Sequence, residues 1–171
     1  LGLVLDGSLV WKQGPHEWEN VLKLQHARSK SPAFDTFAKS LDNFDIQSTY
    51  LYHLANPAWL GPYARVRLNT ALFKGYELRN EETDVIRIHS DGTEENESYA
   101  AQEKIPLTNG FEPLLIAENV GLFANPASRD DFKAKLKLGL GAQHVLVKDG
   151  FSLKDKDGTP ELELVELEGA T

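Results

Sequence analysis

The sequence predicts an all-β protein, an antiparallel up-and-down transmembrane β-barrel (a meander) with about 8–12 strands in the complete protein. Apolar and polar residues alternate with a period of two along seven segments, whereas helical periodicity is nearly absent. The first four of these segments and the sixth are longer than the usual strand of about 5–6 residues. They reach the roughly 9–11 residues that a tilted strand needs to cross a bilayer. The connections alternate between short and long, as in outer-membrane barrels.

The first three predicted strands cover residues 1–13, 18–29 and 43–55, and each has one apolar and one polar face. Two valines on the polar face of the first strand, Val4 and Val10, are exceptions. The apolar faces consist of Leu1, Leu3, Leu5, Leu9 and Trp11, then Trp18, Leu22 and Leu24, and then Phe44, Ile46, Tyr50, Tyr52 and Leu54. Because side chains alternate across a strand, each segment predicts a strand with one face against an apolar medium.

The fourth predicted strand covers residues 62–79, and the sixth, residues 131–148, has the clearest alternation. The two faces of the sixth strand are Phe132, Ala134, Leu136, Leu138, Leu140 and Ala142 on one side, and Lys133, Lys135, Lys137, Gly139, Gly141 and Gln143 on the other. Residues 114–124 and 161–168, the fifth and seventh strands, are weaker predictions, because a glutamate interrupts the apolar face of each.

The connections carry turn-forming pairs. Short connections are predicted at residues 13–16, 56–61 and 125–130, and long ones at residues 30–42, 80–113 and 149–160. Gly-Pro, Asn-Pro and Asp-Gly pairs in these segments favour turns. Inside the longest connection, an apolar run over residues 85–89 is followed by Ser-Asp-Gly-Thr, which predicts a β-hairpin. We expect this segment either to extend the strands beyond a membrane or to form an extra hairpin.

Aromatic residues are predicted at both ends of the strands. Two bands of this kind resemble the interfacial girdles of membrane barrels, where amphipathic rings prefer the headgroup zone. The alternative is that these rings cap the core of a soluble protein. The residues at or beside short turns are Trp11, Trp18, Tyr52, Trp59 and Phe132, and those on the apolar faces toward the long loops are Phe44 and Tyr76.

Charged residues line the polar faces. In a narrow barrel such groups can pair around water, and a basic stripe in a conducting lumen would favour anions. The alternative is a set of solvated surface charges. The residues predicted to face the lumen are Arg65, Arg67, Lys133, Lys135 and Lys137, with Glu19 and Asp45 as opposite charges.

The composition excludes several kinds of chemistry. A net charge of -8 argues against a nucleic-acid partner. The absence of cysteine excludes disulfides, cysteine zinc sites and cysteine nucleophiles. The five histidines have no metal-ligand spacing, and no catalytic motif is present. We therefore expect no metal, no cofactor and no enzymatic activity.

The whole chain, residues 1–171, reads as a single β-barrel domain that lacks its N-terminal part. The chain contains no methionine and begins at Leu1. If the short turns face the periplasm, the first predicted strand runs inward, whereas such barrels start in the periplasm and have an even number of strands. We therefore expect at least one strand before Leu1, and an extension past Thr171.

Two short segments and the tyrosine-rich strand between them carry a resemblance to known families. Trp18-Glu19-Asn20-x-Leu22-x-Leu24, a tyrosine-rich strand, and Phe73-Lys74-Gly75-Tyr76 resemble Gram-negative outer-membrane β-barrel families of unknown function, including the salt-induced outer-membrane protein group. The resemblance implies a barrel fold in the bacterial outer membrane, with outer-membrane lipid as its partner. It brings no catalytic residues.

Two functions remain open. The first is an outer-membrane β-barrel that acts as a structural or docking component for other envelope proteins, or as a small porin-like pore with a charged lumen. The second is a soluble lipocalin-like β-barrel that binds a small apolar ligand, with its apolar faces inward. The direction of Leu136, Leu138 and Leu140 separates the two, because lipid would lie outside the barrel and a ligand inside it.

Overall fold

The computed structural model describes residues 1–30, 38–128, 133–154 and 160–169, and for residues 127, 128 and 133 it describes the backbone alone. The described part of the chain is all-β, with 71% of its residues in strands that pair mostly antiparallel, and it contains no helix. The prediction of an all-β, antiparallel fold is therefore confirmed. The strands in chain order are β1 (Gly2–Gln13), β2 (His16–Ser29), β3 (Ala38–Tyr52), β4 (Leu60–Thr70), β5 (Gly75–Leu78), β6 (Thr83–Ile88), β7 (Glu94–Tyr99), β8 (Lys104–Thr108), β9 (Leu114–Ser128), β10 (Lys133–Leu146), β11 (Phe151–Leu153) and β12 (Leu162–Glu166).

Six strands form the large sheet, in the order β1-β2-β3-β4-β9-β10, and every neighbouring pair is antiparallel. The register keeps the predicted faces aligned from one edge to the other. One row on the apolar face crosses all six strands through Trp11, Trp18, Tyr50, Ala64, Val120 and Leu140. Because the side-chain period of a strand is two, this register places the alternating charged residues together on the opposite face.

The large sheet curls toward its polar face. The Lys135 side chain, on β10, forms an ion pair with the Glu19 side chain, on β2. These strands are four strand spacings apart, which corresponds to about 19 Å in a flat sheet. Side chains that stand on a flat sheet cannot bridge that distance. The polar face is therefore concave, and the apolar face is convex.

The sheet does not close into a barrel within the described residues. β1 pairs only with β2, and β10 pairs only with β9, so both edges are free there. β1 and β10 run in opposite directions, because five antiparallel pairings separate them. The first six predicted strands follow the predicted meander order, including the long connection between β4 and β9, whereas the seventh joins another sheet.

The fourth strand ends earlier than its alternation predicts. β4 stops at Thr70, and residues 75–78 form β5 in a different sheet. The carboxylate of Asp42 accepts hydrogen bonds from the backbone N–H groups of Leu72 (3.2 Å) and Phe73 (2.9 Å). These bonds replace ladder hydrogen bonds and hold the chain as it leaves the large sheet.

The insertion and the C-terminal strands form two smaller sheets, β11-β12-β6-β7 and β5-β8. Their apolar side chains share one core. The predicted hairpin is present as β6 and β7, and it belongs to the four-stranded sheet as an extra hairpin. We call these two small sheets, which lie at the long-connection end of the large sheet, the outer subdomain. The core residues are Val85, Ile105, Phe151, Leu162 and Leu164.

The seventh predicted strand is not part of the meander. β12 pairs in parallel with β6, and its Leu162 and Leu164 are buried in the core of the outer subdomain. Apolar and polar residues do alternate along β12. Its apolar side, however, packs in the core of the outer subdomain and not against a strand of the large sheet. No helix in the described residues has the length and apolarity needed to cross a membrane.

Candidate functional site

The convex face of the large sheet is exposed and mostly apolar, although the exposed Glu118 on β9 interrupts it next to Val120. Leu136, Leu138 and Leu140 are 63%, 82% and 83% exposed, and they lie side by side along β10. Val120 and Leu122 on β9 are also exposed, and each pairs with one of these leucines. Soluble monomers rarely expose a contiguous apolar surface of this kind, and where they do, it marks a contact with lipid, protein or ligand.

The concave face carries an ionic cluster that joins β2 to β10, formed by Glu17, Glu19, Lys135 and Lys137. Lys135 pairs with Glu19 and lies 3.4 Å from Glu17, and Lys137 lies 3.4 Å from Glu19. Glu17 is only 3% exposed, so its charge depends on these partners. Of the predicted lumen residues, Glu19, Lys135 and Lys137 therefore lie together.

Two further groups contact Glu17 from the short-turn end. The Lys12 ammonium lies 3.2 Å from the Glu17 carboxylate. Nε2 of His53 lies 2.8 Å from the same carboxylate, while Nδ1 of His53 lies 2.9 Å from the carbonyl oxygen of Ala58. Because both ring nitrogens face acceptors, two hydrogen bonds require the protonated imidazolium.

Arg65 and Arg67 also lie on the concave face. Arg67 donates to the Asp45 carboxylate, with Nε 2.9 Å from Oδ2, and Asn69 also approaches that carboxylate. Arg65 donates twice to Oδ1 of Asn119, at 2.6 and 3.0 Å. The two arginines of the predicted basic stripe are therefore paired with acceptors on the strands next to β4.

An apolar group lies beside the ionic cluster on the concave face. Leu51 and Phe123 are fully buried, and Tyr63 is 7% exposed. The Lys137 ammonium lies 5.7 Å from the centre of the Tyr63 ring, within cation–π range. We call Leu51, Tyr63 and Phe123 the apolar floor, because they lie toward the short-turn end of the sheet.

Glycines make room for the larger side chains of this face. Gly121 and Gly139 are paired in the register, and a Cβ on Gly139 would lie 2.8 Å from the hydroxyl oxygen of Tyr63. The Tyr63 side chain therefore lies over these strands without a clash. The glycines of the sixth predicted strand, which follow its lysines on the same face, have a packing role.

The predicted aromatic bands divide into three groups. Trp11, Trp18, Tyr52 and Trp59 are exposed at the short-turn end, and Trp11 pairs with Trp18 in the register. Phe44 is half-buried on the convex face at the opposite end of β3. Tyr76 is not on the large sheet at all: it belongs to β5, where the Lys104 ammonium lies 4.8 Å from its ring centre.

Two predicted residues lie outside what the structure describes. Phe132 is outside the described residues, and of Lys133 only the backbone, paired with Ser128, is described. Three partners on the concave face were missed from the sequence: Glu17, His53 and Asn119. Glu17 was detectable, since it precedes Glu19 by one strand period, but the predicted strand began one residue after it.

A second set of charges lies in the outer subdomain. Arg87 is 8% exposed, and its guanidinium donates to Glu97 (2.7 Å), the Tyr99 hydroxyl (3.1 Å) and the carbonyl oxygen of Pro106 (3.2 Å). The hydrogen bonds from Tyr99 and Arg87 lower the pKa of Glu97 against a smaller opposing effect of burial. This network ties β6 to β7 and β8.

Among the described residues, no group of three or more His, Asp or Glu side chains is arranged to hold a metal ion. Comparison of the chain with models of protein families, with curated proteins and with solved structures found no match. The resemblance noted for residues 18–24 and 73–76 therefore stays a prediction. What the chain does must be inferred from the two faces of its large sheet.

Proposed function

We propose that this chain forms most of the wall of a bacterial outer-membrane β-barrel, with the convex face of its large sheet against lipid and the concave face toward an enclosed, polar interior. One observation carries the proposal: Leu136, Leu138 and Leu140 are exposed, while the lysines between them turn to the concave face. Apolar residues outside and charged residues inside are the pattern of a membrane barrel.

The free energy of burying apolar side chains favours lipid over water as the medium in contact with this face. Removing one leucine side chain from water contributes about 1.5–3 kcal/mol. If the convex face stayed in water, most of this stabilising free energy would be lost for the three leucines on β10 and for Val120 and Leu122. The aromatic residues at the short-turn end are amphipathic and suit a membrane interface.

A bilayer does not tolerate free strand edges, because unpaired N–H and C=O groups in hydrocarbon are costly. The proposal therefore requires partners for the free edges of β1 and β10. Since these strands run in opposite directions, an antiparallel barrel closes either directly or with an even number of added strands. A total of about 8–12 strands satisfies this condition.

Within this barrel, the outer subdomain lies at the end of the long connections, where outer-membrane barrels carry their larger loops. Its own core makes it a folded structure and not a set of loose connections. A structural or docking role, in which the barrel holds this subdomain at the cell surface for other envelope proteins, follows from that arrangement.

Site-specific labelling tests the proposal, and the chain contains no cysteine to interfere. Single variants Leu138→Cys and Leu140→Cys carry an environment-sensitive fluorophore on the convex face, and Gln143→Cys is the control on the other face of β10. The protein is reconstituted into vesicles that contain phospholipid with brominated chains. We expect strong quenching by the brominated chains at positions 138 and 140 and weak quenching at 143.

The opposite outcome has a clear meaning. If all three labels are quenched by aqueous iodide and none by brominated lipid, the convex face lies in water and the membrane proposal is wrong. In that case a soluble barrel that carries an apolar ligand would be the better hypothesis.

A further inference from the structure

We propose that the interior of the barrel is sealed at its short-turn end, so that the protein is a membrane anchor for its outer subdomain and not a pore. This inference rests on the proposed function and deepens it. The seal consists of the apolar floor (Leu51, Tyr63 and Phe123) and the ionic cluster (Glu17, Glu19, Lys135 and Lys137).

The apolar floor is the first layer. Leu51 and Phe123 have no exposed surface, although the sheet is open between β10 and β1. The His53 ring packs edge-on against Phe123 with ring centres 4.9 Å apart. Interior residues that face a water-filled channel would be exposed, so this end of the concave face is filled by side chains.

The ionic cluster is the second layer, and it crosses the interior from β10 to β2. Lys135 contacts both Glu17 and Glu19, and Lys137 contacts Glu19. A contact between strands four spacings apart requires a strongly curled sheet. Barrels of about eight strands are just wide enough for side chains to fill, whereas those of about 16–18 strands leave an aqueous channel.

Four of the predicted interior cations are also engaged with acceptors. Lys135 and Lys137 pair with carboxylates, as does Arg67, and Arg65 donates to an amide oxygen. A conducting, anion-selective interior needs cations that face water. In this arrangement Lys135 and Lys137 join β10 to β2 across the interior, and Arg65 and Arg67 join neighbouring strands, so these four cations bind protein acceptors and do not line an open channel.

Planar-bilayer recordings of the reconstituted protein test the seal. We expect no steady conductance from the unaltered protein. The double variant Glu17→Gln/Glu19→Gln removes the negative half of the cluster and leaves Lys135 and Lys137 unpaired, so we expect at least a tenfold increase in the frequency of open events.

The control is Glu95→Gln, which alters an exposed carboxylate of the outer subdomain and leaves the closed trace unchanged. Steady conductance of the unaltered protein, in a sample whose labels at Leu138 and Leu140 are quenched by lipid, overturns the seal and leaves the membrane proposal intact. Labels quenched only from water overturn the membrane proposal itself.

A second measurement does not depend on the folding of a charge variant. Gln47→Cys places a thiol on the concave face, on the long-connection side of the ionic cluster. In vesicles of one orientation, a membrane-impermeant maleimide should reach this thiol from the long-connection side only. Equal labelling from both sides overturns the seal.

Discussion

Two glycines of the concave face show how single residues set the spacing of neighbouring strands. Gly121 and Gly139 lie opposite each other on β9 and β10, and a Cβ on Gly121 would meet the backbone carbonyl oxygen of Leu138. Backbone atoms cannot move aside as the end of a flexible side chain can. A side chain at this position therefore forces the two strands apart.

We accordingly expect Gly121→Ala to destabilise the protein by about 1–3 kcal/mol, the range typical of overpacking. Gly7→Ala is the matched control, because the nearest atom to its added Cβ is Cβ of Leu22 at 4.0 Å, an ordinary contact. The midpoint of urea unfolding measures both. Equal midpoints for the two variants would contradict the close approach of β9 and β10.

The carboxylate of Glu97 makes the outer subdomain sensitive to acid. Hydrogen bonds from Tyr99 and Arg87 lower its pKa in the folded state, so the ionised form stabilises the fold. A lowered pKa gives stability that is present above the unfolded value, near 4.3, and is lost as the pH falls through the folded value. We expect faster hydrogen exchange in β6 and β7 at pH 3 than at pH 7.

The variant Glu97→Gln removes this titration, so its exchange in β6 and β7 should change much less between the two pH values. Glu94→Gln is the control, because Glu94 is exposed and starts the same strand. If the Glu97→Gln and unaltered proteins lose protection equally on acidification, another group is responsible.

At the scale of elements, the alternation of apolar and polar residues predicted which segments form strands. It did not predict which sheet each strand joins. The faces of β2, β3 and β10 follow from local sequence, because side-chain direction depends only on the strand period. The place of β12 does not: its partner β6 lies far away in the chain, and an apolar face looks the same whatever covers it.

On the concave face too, the sequence predicted which residues share a face but not which of them are in contact. That Lys135 and Lys137 share a face with Glu19 across the sheet could be predicted from alternation and strand order. That they touch could not, because the contact depends on the curl of the whole sheet. The end of β4 was missed for a related reason, since its cause is a side chain on β3.

That side chain is Asp42, which links two elements and should be sensitive to substitution. We expect Asp42→Ala to destabilise the protein by about 1–3 kcal/mol, since it leaves two backbone donors and the Lys39 ammonium, 3.0 Å away, without their acceptor. Hydrogen exchange of the Leu72 and Phe73 amides should rise most. Asp84→Ala, at an exposed position of β6, should leave these amides unchanged.

At the scale of the molecule, charge and apolar surface are separated. Residues 77–112 contain ten Asp and Glu against three Lys and Arg, so this segment carries most of the net charge of -8. The strands of the large sheet contain nine Lys and Arg against six Asp and Glu, and many of these charges pair on the concave face. An acidic part at one end and a mostly apolar convex face beside it fit the proposed barrel, in which the outer subdomain would lie in water and the convex face in lipid.

The free-energy cost of placing a charged residue on the convex face therefore depends on whether that face contacts water or lipid. In water, Leu138→Arg at a position 82% exposed should change stability by no more than about 0.5 kcal/mol. In a bilayer, the same substitution near the middle of a strand should cost about 2–4 kcal/mol. We expect the larger value when unfolding by urea is measured in lipid vesicles. Gln143→Arg, on the concave face of the same strand, should stay near the smaller value, because its side chain faces the interior. A cost near zero for Leu138→Arg in vesicles would mean that β10 faces water, and the enclosed polar interior would then have no membrane around it.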